Sequence, residues 1–160
     1  MTLNEKYKRL YNRYGDPMTN HAQFEADWMI YWNTPMWLDT HIPALPNRFY
    51  INKDIVVPLE TVFNRLISLQ AYGEIKTFDG LFNIRYIRGS KTRLSIHSFG
   101  LAIDLNAAHN PLGLTREQCI AKGLKPFSKL FNEVWKDSGW SCGADWSRAD
   151  GMHFEYTAHL

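Results

Sequence analysis

At 160 residues the chain suits a single domain, long enough to bury a core without disulfides or a structural metal. Its 18 Lys and Arg against 16 Asp and Glu leave a formal charge of only +2, spread along the chain, too weak to argue for a nucleic-acid binder, where a basic cluster or a far more basic domain is expected. Aromatics reach 14%, enough both to fill a core and to line a groove.

The N-terminus, MTLNEKYKRL, has no apolar signal core, and no stretch approaches the length of a membrane span. The expectation is a protein made in the cytoplasm without a signal peptide or membrane insertion, reaching any outside target by another exit route or by lysis. Residues 4–14 carry Tyr7, Leu10, Tyr11 and Tyr14 at helical spacing, and Gly15-Asp16-Pro17 stops that helix. A second helix is predicted from an N-cap at Thr19 or Asn20 to about Trp32, with Phe24, Trp28, Tyr31 and Trp32 on its apolar side. Residues 33–56 read as irregular, with Pro35, Pro43 and Pro46 spaced among Trp37, Leu38, Ile42 and Leu45. Those side chains are too apolar for a free linker, so the segment is expected to wrap over the domain.

A strong helix is predicted to begin near Pro58 at its first position, with Leu59, Val62, Phe63, Leu66 and Ile67 on one face and Gly73 closing it. Residues 74–78 then read as a strand, Asp79-Gly80 as a hairpin turn and 81–87 as the partner strand. Residues 107–124 suggest a loop with a short helix after Thr115. A further helix spans roughly 126–138, with Phe127, Leu130, Phe131, Val134 and Trp135 on one face and Gly139 at its end. Residues 140–160 suggest two short strands around an Asp150-Gly151 turn. This order predicts an α+β fold: a small, mainly antiparallel sheet packed by several helices. Repeats and linkers are absent. Cys119 and Cys142 lack CxxC spacing and are expected to be free, buried thiols.

Two stretches carry chemistry. In Ser95-Ile96-His97-Ser98-Phe99-Gly100-Leu101-Ala102-Ile103-Asp104, the residues Leu101, Ile103 and Leu105 alternate with Ala102, Asp104 and Asn106, the pattern of a strand with two faces. Asp104 then points away from the core, and a turn at Gly100 brings His97 back toward it. In Asp150-Gly151-Met152-His153-Phe154-Glu155, His153 and Glu155 share one strand face. Pairing of these two strands would join His97, Asp104 and His153 into a two-His, one-carboxylate set. Three protein ligands leave a fourth tetrahedral position open, as in catalytic zinc sites, and two imidazoles disfavour calcium. His21, His41, His109 and His159 read as surface or structural.

The ordered pair SxHxxGxAxD (Ser95 to Asp104) and DxxHFE (Asp150 to Glu155) resembles the family of zinc D-alanyl-D-alanine carboxypeptidases and phage L-alanyl-D-glutamate endopeptidases, which share a fold with the hedgehog signalling domain. The likeness extends through KTFDGLFNIRYIRGS and GWSCGADW, covers about residues 55–157, and is closest to the phage endolysin branch. It implies one peptidase domain over 1–160, with a helical N-terminal part to about residue 56 and a catalytic core from about 57. It makes His97, Asp104 and His153 the ligands of a zinc cofactor and Asp150 the catalytic acid/base. It makes Arg85 the group that orients substrate and stabilises the oxyanion, with Arg88 as the nearby competitor. Ser95 and Glu155 are expected to support the site from behind, and Trp146, with Trp140, to border the substrate groove. The family often has Trp-Gly-Gly where this chain reads Ser141-Cys142-Gly143, a change that bears on the groove.

The activity so implied is hydrolysis of peptidoglycan stem-peptide amide bonds, with L-Ala-D-Glu as the expected bond and a phage lysin acting as a monomer on the thin wall of a Gram-negative host as the expected setting. A D-Ala-D-Ala carboxypeptidase uses the same residues, and a zinc-holding binding domain without turnover is the reading from another class.

Overall fold

Thr2 opens the first helix, α1 (Leu3–Tyr14), with a capping box: its hydroxyl accepts from the Glu5 N–H while the Glu5 carboxylate accepts from the Thr2 N–H. The computed structural model describes residues 1–160. Tyr7, Leu10 and Tyr14 lie on the buried face of α1, and Gly15, at φ +73°, ends it as expected.

The second helix, α2 (His21–Trp28), stops short of its predicted end. Met29–Asn33 is instead strand β1, paired antiparallel with β2 (Arg48–Asn52) from Met29 opposite Asn52 to Asn33 opposite Arg48. The sequence MIYWN is rich in strand-favouring side chains, and cross-strand rings decide the contest: Tyr31 lies 4.8 Å from Tyr50 and Trp32 5.6 Å from Phe49. The N-terminal third is therefore helical and stranded, not helical alone. Between the strands sits a short helix, α3 (Met36–His41), and Leu38, Ile42 and Leu45 are buried as the wrapping segment requires.

Helix α4 (Val56–Ser68) begins two residues before Pro58, so the proline occupies the third position rather than the first. It still lies in the first turn, where no N–H donor is needed. Leu59, Val62, Phe63 and Leu66 are buried. Termination falls at Leu69-Gln70, with Gln70 at φ +56°, not at Gly73.

The predicted hairpin at 74–87 does not form. Strand β3 is only Phe78–Gly80, and it pairs antiparallel with β4 (Ala102–Leu105). The Asn106 side chain takes over the preceding backbone, accepting from the Lys76 and Thr77 N–H groups and donating to the Glu74 carbonyl. Residues 81–87 follow as an irregular segment with a single bridge between Tyr86 and Leu94. A long-range ladder thus replaces the local one.

Helix α5 (Arg116–Ala121) follows Thr115, which forms a capping box with Gln118. Helix α6 (Lys129–Asp137) starts behind a Ser128 cap, later than predicted, and Gly139 follows at φ +89°. Phe131, Val134 and Trp135 face the core, with Phe127 buried just ahead of the cap, but Leu130 is 52% exposed and lies on the outer side. Strands β5 (Ser141–Cys142) and β6 (His153–Glu155) complete a four-stranded antiparallel sheet in the order β3-β4-β6-β5. The fold is α+β with two small antiparallel sheets, and one apolar cluster runs from Tyr7 to Phe154. Cys119 and Cys142 are free and buried. No helix is long and apolar enough to cross a membrane.

Candidate metal centre

Two backbone devices bring the chemistry-bearing side chains together. Pairing of β4 with β6 sets Asp104 directly opposite His153. Ahead of β4, a 3-10 turn (Ile96–Phe99) carries His97, and Gly100 reverses the chain in the left-handed region at φ +66°. A Cβ at Gly100 would lie 2.6 Å from the Met29 sulfur and 3.1 Å from the Asn52 nitrogen, so the residue is required for packing against β1 and β2 as well as for its angle. Asn52 locks this corner by donating its side-chain N–H to the Phe99 carbonyl at 2.9 Å.

The result is a triangle of three atoms: His97 Nε2, Asp104 Oδ1 and His153 Nδ1, each 3.1 Å from the other two. The outer nitrogens define the tautomers. His97 Nδ1 lies 2.7 Å from the Leu81 carbonyl, which only accepts, so Nδ1 donates and Nε2 carries the lone pair. His153 Nε2 lies 3.1 Å from Glu155 Oε2, so it donates to that carboxylate and leaves Nδ1 bare. Three electron-pair donors in contact, with no proton between them in these neutral forms, call for a cation. Zinc bonds of ~2.0–2.1 Å at tetrahedral angles place ligand atoms about 3.3 Å apart, close to the triangle found. The donor set and its outer hydrogen bonds therefore fit the metal.

Charge in the metal-free site follows the same logic. Burial opposes ionisation of Asp104, but the His153 and His97 imidazoles beside it outweigh burial and hold the carboxyl well below the usual range. Burial likewise opposes charging of His153, yet the Asp104 and Glu155 carboxylates win and raise its pKa to about 9. A metal must displace that proton. Apparent zinc affinity of metal-free protein is thus expected to rise about tenfold per pH unit from roughly pH 7 to 9, with about one proton released per zinc. Calorimetry in buffers of different ionisation enthalpy measures the release. Without metal the sign for stability is opposite. The His153 ion pairs contribute fully below the unfolded imidazole's ~6.5, and that contribution is lost as pH rises through about 9.

Asp150 lies on the approach to β6. Its N–H donates to the Gly143 carbonyl at 2.9 Å and its own carbonyl accepts from the His153 N–H at 3.0 Å. A Cβ on Gly143 would sit 2.3 Å from the Asp150 carbonyl oxygen, so glycine there permits the seat of the carboxylate. Asp150 Oδ1 is buried and makes no hydrogen bond. Burial raises the pKa of this carboxyl, with a further upward push from Asp104 and opposing pulls from His153, His97 and Arg85.

The Arg85 side chain is exposed but near enough for its charge to act on Asp150. Its backbone is pinned, since the Ser98 hydroxyl accepts from Arg85 N–H and donates to the Arg85 carbonyl. Arg88 is exposed and has neither a hydrogen-bond nor an ion-pair partner. Ser95 does not reach the donor triangle: its hydroxyl accepts from the His97 N–H at 3.4 Å, capping the turn that carries the ligand. Glu155 backs His153. Trp146, 41% exposed, lies with its ring 5.1 Å from that of His153, at the edge of the site. Trp140, in contrast, is buried against Trp135 and Tyr156 and borders no groove. Cys142 likewise points into the core, so the departure at Ser141-Cys142-Gly143 changes packing at that position. His41 meets Tyr72 edge to face, His109 accepts from the Lys125 N–H, and His159 pairs with Tyr14, all away from the triangle.

Sequence reasoning missed Leu81 and Gly143. The first acts through a backbone carbonyl, which carries no side-chain signal, and the second through the absence of a Cβ.

Residues 88–156 match the model of a family described as D-alanyl-D-alanine carboxypeptidase. The matched segment contains His97, Asp104, Asp150 and His153 but not Arg85. No curated protein and no solved structure matches the chain.

Proposed function

We propose that this protein is a zinc-dependent peptidase that hydrolyses amide bonds in peptidoglycan stem peptides, as a phage endolysin cutting L-Ala-D-Glu. The observation that carries the reading is the donor triangle with a buried, unpartnered carboxylate oxygen beside it. When bound, zinc supplies Lewis acidity, enough to bring the pKa of a water toward ~7 and to polarise an amide carbonyl. His97, Asp104 and His153 hold it, with Leu81 and Glu155 keeping both imidazoles in the ligating tautomer.

The rest of the chemistry belongs to Asp150 and Arg85. Asp150 Oδ1 is unpartnered, and burial makes the carboxylate a stronger base than an exposed one. It accepts the proton of the attacking water and returns it to the departing nitrogen, which turns a poor leaving group into an amine. Arg85 faces the negative charge that develops on the carbonyl oxygen, a contribution of about 3 kcal/mol for one well-placed donor. Trp146 forms a wall against which a peptide can lie. Action on the wall from the periplasmic side, after release from the producing cell, and work as a single-domain monomer complete the proposal.

Digestion of purified peptidoglycan, followed by mass spectrometry of the muropeptides, tests it. The expected products are stem peptides freed at the L-alanine bond. Loss of a single terminal D-alanine would favour the carboxypeptidase reading, which the description of the matched family supports. Zinc binding with no product of either kind would mark a non-catalytic zinc domain and sink the hydrolase reading.

A further inference from the structure

We infer that Lys6, on the N-terminal helix, is a positioning residue for the metal centre, acting through Glu155 on His153. This rests on the zinc reading above and adds a residue 149 positions away from the carboxylate it holds. Glu155 sits on β6 with its side chain 3% exposed, and both its oxygens are engaged. Oε2 accepts from His153 Nε2 at 3.1 Å, while Oε1 is ion-paired with Lys6 Nζ. A carboxylate so deep needs a cation or several donors, since an unpaired buried charge is strongly unfavourable. Lys6 is the cation that contacts it, with its side chain 18% exposed at the outer end of the chain Lys6–Glu155–His153.

The arrangement is rigid at both ends. Lys6 lies one turn inside the Thr2 cap, its N–H bonded to the Thr2 carbonyl, and neighbouring Tyr7 donates its hydroxyl to the Leu94 carbonyl, just ahead of the ligand-bearing turn. Glu155 is held in the middle of the sheet, opposite Ala102 on one side and Ser141 on the other. Removing the ammonium leaves one carboxylate oxygen buried without a partner. Glu155 then gains by turning away toward water, and His153 Nε2 loses the acceptor that keeps Nδ1 free for the metal. Helix α1 lies outside the matched segment 88–156, and this contact gives it a part in the site.

Zinc affinity of the full chain, measured by competition with a chromophoric chelator, tests the role. Glu155→Gln is expected to weaken zinc binding about 10- to 100-fold and Lys6→Met about 10-fold. Lys6→Arg, which keeps the cation, should stay within about threefold of the parent. The decisive result is the double variant: Lys6→Met added to Glu155→Gln should weaken binding no further, because both remove one coupled chain. Lys6→Gln serves in place of Lys6→Met if the latter fails to unfold cooperatively. Wild-type affinity in Lys6→Met, or losses that simply add in the double variant, would overturn the positioning role. His153→Ala separates the two levels. If it binds zinc as well as the parent, the metal centre itself is wrong, whereas its loss of zinc beside an unaffected Lys6→Met defeats only the role of Lys6.

Discussion

Asp150→Asn is expected to lower peptidoglycan hydrolysis by about 10²- to 10⁴-fold while leaving zinc content and thermal stability close to those of the parent. Asparagine matches aspartate in shape but cannot take a proton from water at neutral pH. The backbone bonds that seat the residue, to the Gly143 carbonyl and from the His153 N–H, do not involve its side chain. Because Oδ1 makes no hydrogen bond, the substitution breaks none at that atom. Release of free amino groups from purified peptidoglycan, with metal analysis of the same sample, measures both halves of the expectation. Retained hydrolysis would remove Asp150 from the mechanism. Loss of zinc together with activity would make it a structural residue. His97→Ala should show the contrasting pattern, losing metal and activity together.

Phe154→Ala should destabilise the protein by about 3–5 kcal/mol, the range for removing a fully buried aromatic side chain. Phe154 is 0% exposed and packs 4.3 Å from Trp135, 5.7 Å from Phe127 and 5.9 Å from Phe131, ring centre to ring centre. The cavity would open directly behind His153 and Glu155, which flank it on the same strand. For a chain of this size the melting temperature is expected to fall by roughly 6–20 °C, read by circular dichroism on metal-free protein. Zinc should return part of the loss, about 2.7 kcal/mol at a hundredfold excess over its dissociation constant, since it binds the folded triangle. A fall of only a degree or two would mean that the aromatic cluster repacks around the gap.

Phe154 and its neighbours His153 and Glu155 lie on opposite faces of one three-residue strand, and that alternation was legible in the residues alone. Leu101, Ile103 and Leu105 against Asp104, and Phe154 against His153 and Glu155, announce which side chains meet the core and which turn to the face where a metal could be held. The helix faces of α1 and α4 were equally readable, because local spacing decides them. Legibility failed where distant segments competed for the same backbone. Residues 29–33 continued a helical pattern until β2 offered a ring-to-ring ladder, and 74–77 looked like half a hairpin until the Asn106 side chain satisfied their polar groups. Leu130 lies at the edge of the apolar stripe formed by Phe131, Val134 and Trp135 and is left 52% exposed.

By itself, then, the sequence determined the α+β class, the strand faces and the identity of the three donors, all consequences of period and side-chain chemistry within short windows. Only the tertiary structure decided that the donors stand 3.1 Å apart, that a Leu81 carbonyl and Glu155 select the tautomers, and that Lys6 reaches the site from α1. These depend on strand pairing and on contacts between residues far apart in the chain. No local pattern encodes them, because their energies are set by which partners the fold brings within reach.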